Sequence, residues 1–398
     1  MRLLSPFPLP APALAAPERV PPWPGGGYGG LAADHEDTQP ALFFNPKKPR
    51  TCQFSIPAAA LLTGLFAAGT PSLRAAPETP SAPAVDKDFL RIGSWNVENL
   101  GYRSYGRNAP IASDQQAPEN LADYILSSKV DVLAIQEVHD DDQKEDNDKG
   151  AAPWKNKTMD KTLELLQKGT GDEWEYLLTD PEPVNVRSQL TGVLWRKSRA
   201  TFKGRIKPDI KGGEHNGQAK LTYWTRRPEA FHFSAGDKKS DFTLVPMHMK
   251  SNSGGNETAR AMRKEEALQM LDAIKKIEGN FTGEKDIVLL GDTNILAPEQ
   301  SVQETWAGFT DLNAADMLTW MNPEWINATD SPREYPPAPF DRIFVPTGQP
   351  EFAKSAQKVH GPYAAGGMTE AAWTAEHVKL RSDHLLVWCD IAISTDDD

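Results

Sequence analysis

The sequence predicts an α/β domain in which two β-sheets pack face to face and helices cover the outside. Three observations support this fold class. Short apolar or alternating runs recur along residues 89–393, a few segments have helical periodicity, and the two kinds of element occur in mixed order. The chain has 398 residues and no linker-like segment divides 89–393, so we expect one large domain there.

The N-terminal part of the domain is expected to alternate strands with a helix. Residues 89–97 (FLRIGSWNV) alternate, which is typical of a strand, and 130–138 (VDVLAIQEV) form a nearly continuous apolar run, which is typical of a buried strand. Between them, residues 118–129 carry apolar side chains at helical spacing behind Pro118 and predict a helix. Residues 140–150 are strongly charged and predict a solvated loop.

Two further helices are predicted in the middle of the domain. Residues 158–169 predict a helix that stops at Gly169, and residues 256–279 predict the clearest helix, which stops at Gly279. The second helix has an apolar stripe made of Ala261, Leu268, Leu271 and Ile274. Strands are predicted in the segments WEYLLT, TGVLWRK, TFKGRIKP, EAFHFS and DFTLVPMHMK.

The C-terminal part is predicted to hold three strands separated by long irregular segments. The strands are expected at 286–292, 340–346 and 383–393. The segments 297–340 and 347–381 are rich in Trp, Pro and Gly. Irregular segments of that length in a compact domain usually form functional walls or lids.

The first 88 residues differ in composition from the domain. They contain 16 of the 33 prolines, a Gly-rich stretch at 25–30 and little hydrophobic periodicity. Such a composition cannot bury enough apolar surface to offset the entropy of ordering the chain, so we expect residues 1–88 to be disordered. At the other end of the chain, residues 394–398 form a short acidic tail.

Part of the N-terminal segment, about residues 47–76, has the pattern of a secretory signal peptide. Basic residues precede a 13-residue apolar stretch, Ile56–Ala68, and small residues follow it. The stretch is shorter than the ~20 residues of a spanning helix, so no transmembrane span is expected. The pattern predicts bacterial export, to the periplasm or the medium. Translation from a later, non-Met start would explain its distance from Met1; the alternative is a Pro/Ala-rich linker with a chance apolar run.

Charge and cysteine content narrow the possible functions. The formal net charge is −12 and becomes −14 without residues 1–76, which carry six Lys and Arg and four Asp and Glu. An acidic domain lacks a broad basic surface for nonspecific nucleic-acid binding, but it could act on phosphates if metal ions supply positive charge. Cys52 lies in the predicted signal, so the exported form has no internal disulfide, and Cys389 is expected in the core.

Polar side chains stand at many predicted strand ends. They are carboxylates, amides, imidazoles and one amine, at Asn96, Glu98, Glu137, His248, Lys250, Asn252, Asp292, Asn294, Asp341, Asp383 and His384. A buried strand normally avoids charge unless the charge is paired or binds metal, so we expect these ends to meet at one rim of a sheet. Oxygen ligands suit Mg²⁺, with Mn²⁺ or Ca²⁺ as alternatives, and histidines beside acids suit phosphoryl chemistry. Taken singly, each residue could instead be a cap, a solvated strand end or a structural ion pair.

The motifs SWNVEN, IQEV, VPMHMKS, GDTN, FDRIFV and SDH resemble, in order and spacing, the signature of the endonuclease/exonuclease/phosphatase superfamily across residues 89–393. Within it, the sequence looks closest to the pancreatic-type deoxyribonuclease branch and to bacterial secreted nucleases. The resemblance implies a four-layer α/β sandwich, with two packed mixed sheets flanked by helices. It also implies a divalent-metal-dependent phosphodiesterase, expected as a monomer.

The resemblance implies nucleic acid as the substrate of an exported endonuclease. The alternatives are a phospholipid or sphingomyelin phosphodiesterase, an inositol or nucleotide phosphatase, and a non-catalytic binding module. Trp306, Trp320 and Trp325 could stack on bases, contact lipid headgroups or fill the core. We expect at least one of them in the core.

Carried over by position, the resemblance assigns site residues. The metal centre would comprise Asn96, Glu98, Glu137 and Asp383, with Glu137 as the principal ligand. The catalytic set would comprise His248, Asp292, Asn294, Asp341 and His384. Lys250 and Asn252 would contact the substrate. Arg260 and Arg263 lie on a predicted helix rich in both charges and are expected to be solvated surface.

Each catalytic residue has an implied role. Asp292 would orient and help deprotonate the attacking water, and Asn294 would contact the phosphate or that water. His248 and His384 would face the scissile phosphate, and they would stabilise charge or serve the leaving group. Asp341 would orient His384.

Two sequence details bear on the histidines. Asp383 and His384 are adjacent on a predicted strand and should point to opposite faces, so His384 needs its orienting acid from another strand, such as Asp341. In the deoxyribonuclease branch a glutamate commonly pairs with the first histidine, whereas Gln189 stands at about that point here. His248 is therefore expected to lack that anionic partner.

Overall fold

The computed structural model describes residues 88–101, 116–139, 154–180, 189–214, 222–252, 256–281, 284–296, 300–313, 315–321, 324–326, 332–334, 337–361 and 370–394. All of them belong to one unit, Glu78–Asp398. The predicted disordered segment up to residue 87, its signal peptide with Cys52, the charged loop 140–150 and residues 395–398 of the acidic tail lie outside the described residues.

Strands make up most of the described elements. In chain order they are β1 (Phe89–Leu100), β2 (Val132–Val138), β3 (Trp174–Leu178), β4 (Leu190–Arg196), β5 (Thr201–Ile206), β6 (Gly213–Glu214), β7 (Thr222–Tyr223), β8 (Ala230–Ser234), β9 (Asp241–His248), β10 (Ile287–Asp292), β11 (Phe309–Asp311), β12 (Glu324–Ile326), β13 (Pro332–Glu334), β14 (Asp341–Pro346), β15 (Lys358–Val359) and β16 (Val387–Ala392). The helices are α1 (Pro118–Ser128), α2 (Lys157–Thr170), α3 (Asn256–Asn280), α4 (Gln300–Thr305) and α5 (Glu370–Leu380), and a 3₁₀ helix spans Pro350–Phe352.

Two mixed six-stranded sheets form the centre of the domain. The first has the order β15-β16-β1-β2-β4-β3, and the second has the order β11-β14-β10-β9-β8-β5. β1 runs parallel to β2, and β9 runs parallel to β10, whereas their other neighbours are antiparallel. The carboxyl ends of each parallel pair therefore lie at one edge of their sheet.

Three apolar clusters lie between the four layers of the domain, which are helices, the first sheet, the second sheet and helices. The middle cluster lies between the sheets, with Leu90 and Ile92 of β1 and Val288 and Leu290 of β10 among its members. A second cluster joins α1 and α2 to the outer face of the first sheet, and a third joins α3 and α4 to the outer face of the second. Cys389 lies in the middle cluster, as expected. The predicted four-layer α/β sandwich is confirmed.

The predicted end of α2 was wrong. The helix continues through Gly169 to Thr170. Gly171 caps it with φ 73° and donates its N–H to the carbonyl of Gln167. Gly169 has another purpose, because a Cβ there would lie 2.7 Å from a methyl group of Leu126 on α1. The absence of a side chain at Gly169 lets the two helices pack closely.

The predicted apolar stripe of α3 was wrong at two of its four positions. Ile274 is buried and Leu271 packs against the third apolar cluster, as expected, but the other two positions are exposed. Leu268 is 43% exposed and Ala261 is exposed as well. The buried face consists of Ala259, Met262, Arg263, Glu266, Ala267, Met270, Ala273, Ile274 and Ile277. It includes two charged residues, which a search for apolar spacing passes over. The helix also continues one residue beyond Gly279.

The segments predicted to be irregular contain regular elements. α4, β11, β12 and β13 lie within 297–340, and the 3₁₀ helix, β15 and α5 lie within 347–381. β11 and β15 are only three and two residues long and are held by pairing with the distant strands β14 and β16, so local sequence contains no signal for them. None of the described helices is long and apolar enough to cross a membrane.

Candidate active site

The candidate site lies at one end of the gap between the two sheets. Successive residues of a strand point to opposite faces, so every second side chain of an inner strand enters the gap. On β1, Ile92 packs between the sheets, and Asn96 follows on the same face. On β10, Leu290 packs between the sheets, and Asp292 is the next residue on that face. Because side chains alternate along each strand, polar side chains lie at the end of an apolar gap.

The same alternation brings in residues from β9 and β14. Leu244 of β9 faces the gap, and so does His248 at the end of that strand. Ile343 of β14 faces the gap, and so does Asp341 at the beginning of that strand. Because β14 runs antiparallel to β10, its amino end meets the carboxyl end of β10, and Asp292 pairs with Asp341. Carboxylates and imidazoles from both sheets therefore share one edge.

Glu137 reaches the gap through a local irregularity. Leu133 and Ile135 of β2 face the outer helices, so strict alternation would turn Glu137 outward too. The pairing of β2 with β4 shifts register between Ile135 and Val138, and Glu137 has φ 63°. Such a bulge re-aims a side chain. Glu137 Oε1 now accepts a hydrogen bond from Asn96 Nδ2 at 3.1 Å.

The amide of Asn96 links the two acids. Its Nδ2 also donates to Asp292 Oδ2 at 3.0 Å, and its Oδ1 accepts from the backbone N–H of Glu98 at 2.9 Å. His248 Nε2 lies 3.6 Å from Glu137 Oε1 and 3.5 Å from Asp292 Oδ2. One potential ligand atom each of Glu137, His248 and Asp292 lies within 4.8 Å of the other two. We call these three residues the donor group.

His384 stands on the other side of Asp292. Its Nδ1 lies 2.7 Å from Asp341 Oδ2, and its Nε2 lies 3.7 Å from Asp292 Oδ2. The hydrogen bond that an orienting role for Asp341 requires is therefore present. The prediction that Asp383 and His384 lie on one strand and point to opposite faces was wrong. Asp383 and His384 precede β16, and Asp383 Oδ1 lies 3.9 Å from His384 Nε2 rather than on the opposite face of a strand.

Among the described residues, no acidic side chain forms a hydrogen bond with His248 Nδ1. This atom is buried and has no hydrogen-bond partner among the described residues. Gln189 donates to Asn99 Oδ1 at 2.7 Å and accepts from Arg226 at 3.1 Å. Arg226 also donates to the carbonyl groups of His248 and Met249, at 3.4 and 3.1 Å. Arg226 lies between the predicted strands at 201–208 and 229–234 and belongs to no distinctive motif, so the sequence did not indicate its role.

Glu98 and Asp383 form an acidic pair beside His384. The backbone N–H of Asp383 donates to Glu98 Oε2 at 3.1 Å, and Trp320 Nε1 donates to Asp383 Oδ2 at 2.9 Å. Burial is the main reason that the pKa of Glu98 lies well above its usual value, and the charges of Asp383 and Glu137 raise this pKa further. Both acids were predicted as metal ligands, and both lie next to the donor group without belonging to it.

The tryptophans of segment 297–340 have different environments. Trp306 is buried and donates its indole N–H to the carbonyl of Ala267, so it fills the core as expected for at least one of the three. Trp320 is half-buried, and its ring lies 5.3 Å from that of Phe340. Its hydrogen bond to Asp383 places it at the border of the site. The side chain of Trp325 is outside the described part of the structure.

Burial controls the ionisation of the site. It raises the pKa of Glu137, and together with the charges of Asp341 and Glu137 it raises the pKa of Asp292 to about 7. Burial and nearby positive charge lower the pKa of His248 well below its usual value, so this ring is neutral at pH 7. Burial also disfavours charge on His384, but the carboxylates of Asp341 and Asp292 outweigh it and hold the pKa of His384 well above its usual value.

Helix α3 holds the segment that follows β9. Glu266 accepts the backbone N–H of Lys250 at 2.8 Å, and Arg263 donates to the carbonyl of Lys250 at 2.8 Å and to Asn252 Oδ1 at 3.1 Å. Asn252 in turn donates to the carbonyl of Asn294 at 2.9 Å. The prediction that Arg263 is solvated was wrong, because this arginine is fully buried against the segment.

The turn after β10 is built around Asp292. The backbone N–H of Asn294, which has φ 55°, donates to Asp292 Oδ1 at 2.9 Å. Asn294 Nδ2 donates to the carbonyl of Met249 at 3.3 Å. Gly291 precedes the acid with φ 148°, and a Cβ there would lie 2.0 Å from the carbonyl oxygen of Met247. Only glycine lets β10 lie this close to β9 just before the acid.

The donor group suits a divalent cation. The carboxylates of Glu137, which is partly buried, and of Asp292, which is buried, share the amide of Asn96, and burial raises the pKa of both. Carboxylate oxygens are the ligands that Mg²⁺ and Mn²⁺ prefer, and Mn²⁺ also accepts an imidazole nitrogen. The residues present therefore fit a resident divalent cation.

Comparisons with known proteins identify the family. Residues 93–384 match the family described as Endonuclease/Exonuclease/phosphatase family. A protein named "Deoxyribonuclease" from Thioalkalivibrio sp. (strain K90mix) is 24% identical over 311 residues, which cover 78% of this chain and 72% of that protein.

Solved structures with a similar backbone include the endonuclease/exonuclease/phosphatase from Bacteroides vulgatus. It has 15% identity and a TM-score of 0.48, and the match covers 77% of this chain and 99% of that one. Another is D. rerio TDP2 complexed with single strand DNA product, with 17% identity, a TM-score of 0.43 and coverage of 76% and 98%. Because the family match spans most of the chain, the protein belongs to the endonuclease/exonuclease/phosphatase family and is a phosphoester hydrolase.

Proposed function

We propose that this protein is a divalent-metal-dependent phosphodiesterase that hydrolyses the phosphodiester bonds of nucleic acid. The observation that carries the proposal is the cluster at the end of the inter-sheet gap. There Glu137 and Asp292 share the amide of Asn96, and His248 and His384 both lie close to Asp292 Oδ2. Acids that bind a cation, a base for water and a charged imidazole are the groups that phosphodiester hydrolysis needs.

Glu137, with the neighbouring Glu98 and Asp383, would hold the cation. When bound, a divalent cation polarises a phosphoryl oxygen and favours deprotonation of water. The following steps are those of the chain itself.

Asp292 is the group best suited to accept a proton from the attacking water. Burial raises its pKa to about 7 before a cation binds, and a raised pKa makes a carboxylate a stronger proton acceptor. Its Oδ1 is fixed by the backbone N–H of Asn294, while Oδ2 faces His248 and His384. The carboxylate is thus held on one side and directed toward the reacting groups on the other.

His384 supplies positive charge. Asp341 keeps the ring protonated and fixes its Nδ1, so Nε2 can donate to a phosphate oxygen. His248 is neutral and offers one N–H, which suits a hydrogen bond to the phosphate and not the supply of a proton to a poor leaving group. Asn96 keeps the two acids at a fixed separation.

Nucleic acid, with DNA first, is supported as the substrate by the relative named "Deoxyribonuclease", which is similar over most of this chain. The acidic net charge of −12 means that the bound cation, and not a basic surface, would attract the phosphate. We further propose that the protein is exported. The basic, apolar and small-residue order of 47–76 supports this part of the proposal.

A substrate panel tests the proposal. The purified protein is incubated with plasmid DNA, single-stranded RNA, sphingomyelin and bis-p-nitrophenyl phosphate, each in Mg²⁺ and in EDTA. We expect cleavage of DNA in Mg²⁺ only, and much weaker cleavage by the Asp292→Asn variant. Lipid cleavage without nucleic-acid cleavage would show a phospholipid enzyme, and the absence of any turnover would show a binding module. Mass spectrometry of the N-terminus from culture medium tests export.

A further inference from the structure

A second set of metal-type ligands lies at the opposite end of the second sheet. His232 is on β8, Asp241 is the first residue of β9, and Glu284 lies just before β10. One potential ligand atom of each lies within 4.8 Å of the other two. Asp241 and His248 are the two ends of β9, and seven residue steps of about 3.3 Å separate the cluster from the donor group by about 23 Å.

The histidine of this cluster is held in place from several sides. Its Nδ1 lies 3.2 Å from Thr243 Oγ1 and 3.1 Å from Glu284 Oε2, and its Nε2 lies 3.5 Å from Asp241 Oδ2. The ring of Phe281 stacks on it with 4.6 Å between centroids. His232 also pairs with Thr243 in the sheet, so backbone register fixes their separation. The ligand geometry is therefore set by β8 and β9 rather than by a loose surface side chain.

Glu284 has an oxygen that the described structure leaves unsatisfied. Its side chain is only 1% exposed. Oε1 accepts the backbone N–H of Asp286, but Oε2 has no hydrogen-bond partner among the described residues, even though His232 Nδ1 is near. That nitrogen is directed to Thr243 instead. A buried carboxylate oxygen without a hydrogen bond or cation is costly, so its position beside an imidazole and a second acid points to a bound ion.

We propose that His232, Asp241 and Glu284 form a structural site for a divalent transition-metal ion of the Zn²⁺ or Mn²⁺ type. One imidazole nitrogen with two carboxylate oxygens suits these ions better than Mg²⁺, which prefers oxygen ligands alone. Thr243 Oγ1 or water would complete the coordination. The ion would tie together β8, β9 and the connection from α3 to β10. Its distance from the donor group separates this role from catalysis.

Metal stoichiometry is the direct test. The full chain and its variants are dialysed against excess Zn²⁺ or Mn²⁺ and then against buffer, and the bound metal is measured by inductively coupled plasma mass spectrometry. In the Glu137→Gln background, which removes the principal ligand of the active-site cation, we expect one equivalent of metal to remain, and we expect Glu284→Gln or Asp241→Asn to remove it. The matched control Glu278→Gln, at an exposed acid of α3, should keep it. An unchanged stoichiometry in both cluster variants would overturn the proposal and leave a histidine between two acids.

Thermal unfolding provides a second readout. In the Glu137→Gln background, Zn²⁺ at a hundredfold excess over its Kd should raise the Tm by about 5 °C, and this shift should disappear when Glu284→Gln is added. The Glu284→Gln variant should retain wild-type kcat in saturating Mg²⁺ below its Tm. If the variant fails to fold, Asp241→Asn, whose side chain is 28% exposed, takes its place. A metal-induced Tm shift that persists in the cluster variants would refute the site.

Discussion

Asp341→Asn isolates the role of the acid behind His384. Asp341 is fully buried, and its Oδ2 lies 2.7 Å from His384 Nδ1. Its other oxygen has no hydrogen-bond partner among the described residues. The substitution keeps the size of the side chain and removes the charge. Burial, which lowers the pKa of His384, would then be opposed mainly by Asp292.

The size of the effect follows from the lost interaction. A hydrogen bond between charged groups contributes about 1.5–3 kcal/mol, and one pKa unit corresponds to about 1.4 kcal/mol, so the pKa of His384 should fall by about 1–2 units. The protonated ring is the active form in our mechanism, so activity is lost as the pH rises through this pKa. The alkaline limb of the pH profile should therefore move down by about the same 1–2 units. Misorientation of the ring adds a loss in kcat of about 10²–10⁴.

The assay is the pH dependence of kcat on bis-p-nitrophenyl phosphate in saturating Mg²⁺, with the ring followed by NMR titration. Asp390→Asn is the matched control, because Asp390 forms an ion pair with Arg91 near the other end of β1, away from the site. This control should keep the wild-type profile. An Asp341→Asn enzyme with wild-type kcat and an unmoved alkaline limb would refute the role of Asp341 and the protonated state of His384.

Three further predictions concern the site and its support. Asp292→Asn should lower kcat by two orders of magnitude or more, because the amide keeps the shape of the side chain but cannot accept a proton. The Kd for DNA, measured by fluorescence anisotropy in Ca²⁺, should stay within a few-fold of the wild-type value. Full activity would contradict the role of Asp292 as the base. Gly291→Ala should destabilise the protein by about 2 kcal/mol or more in urea unfolding, since φ is 148° and the new Cβ would lie 2.0 Å from the carbonyl oxygen of Met247; a wild-type midpoint would show that β9 and β10 are not so close. Met270→Ala should lower the free energy of unfolding by about 2–5 kcal/mol, because Met270 is buried. Leu268→Ala should change it by about 0.5 kcal/mol or less, because Leu268 is 43% exposed. The reverse order would mean that the buried face of α3 is misassigned.

Alternation along strands explains how much of the site is visible in the sequence. Asn96, Asp292 and His248 each continue the inward face of a strand whose apolar residues are easy to recognise. Glu137 breaks this rule, since alternation would turn it outward and only the irregular pairing of β2 with β4 brings it in. Its importance was inferred from the motif resemblance, and its position depends on a neighbouring strand.

Helix α3 shows where periodicity fails. The spacing of Ala261 and Leu268 is as helical as that of the true buried face, so local sequence could not choose between them. The buried face includes Arg263 and Glu266, whose charges are satisfied by the segment after β9. A local hydrophobic pattern predicts that charged residues are exposed. Their partners lie outside the helix and become known only when that segment packs against it.

The sequence by itself determined the α/β class, the strands of the inner layers and the chemical identity of the acids, amides and histidines, because side-chain alternation and motif order are local properties. The tertiary structure decided which of these groups touch, which carry charge and what holds them. Arg226 behind His248, Trp320 beside Asp383 and the ionisation of Asp292 arise only when distant strands meet and exclude water. Electrostatic environment depends on neighbours in space, and the order of residues along the chain does not specify those neighbours.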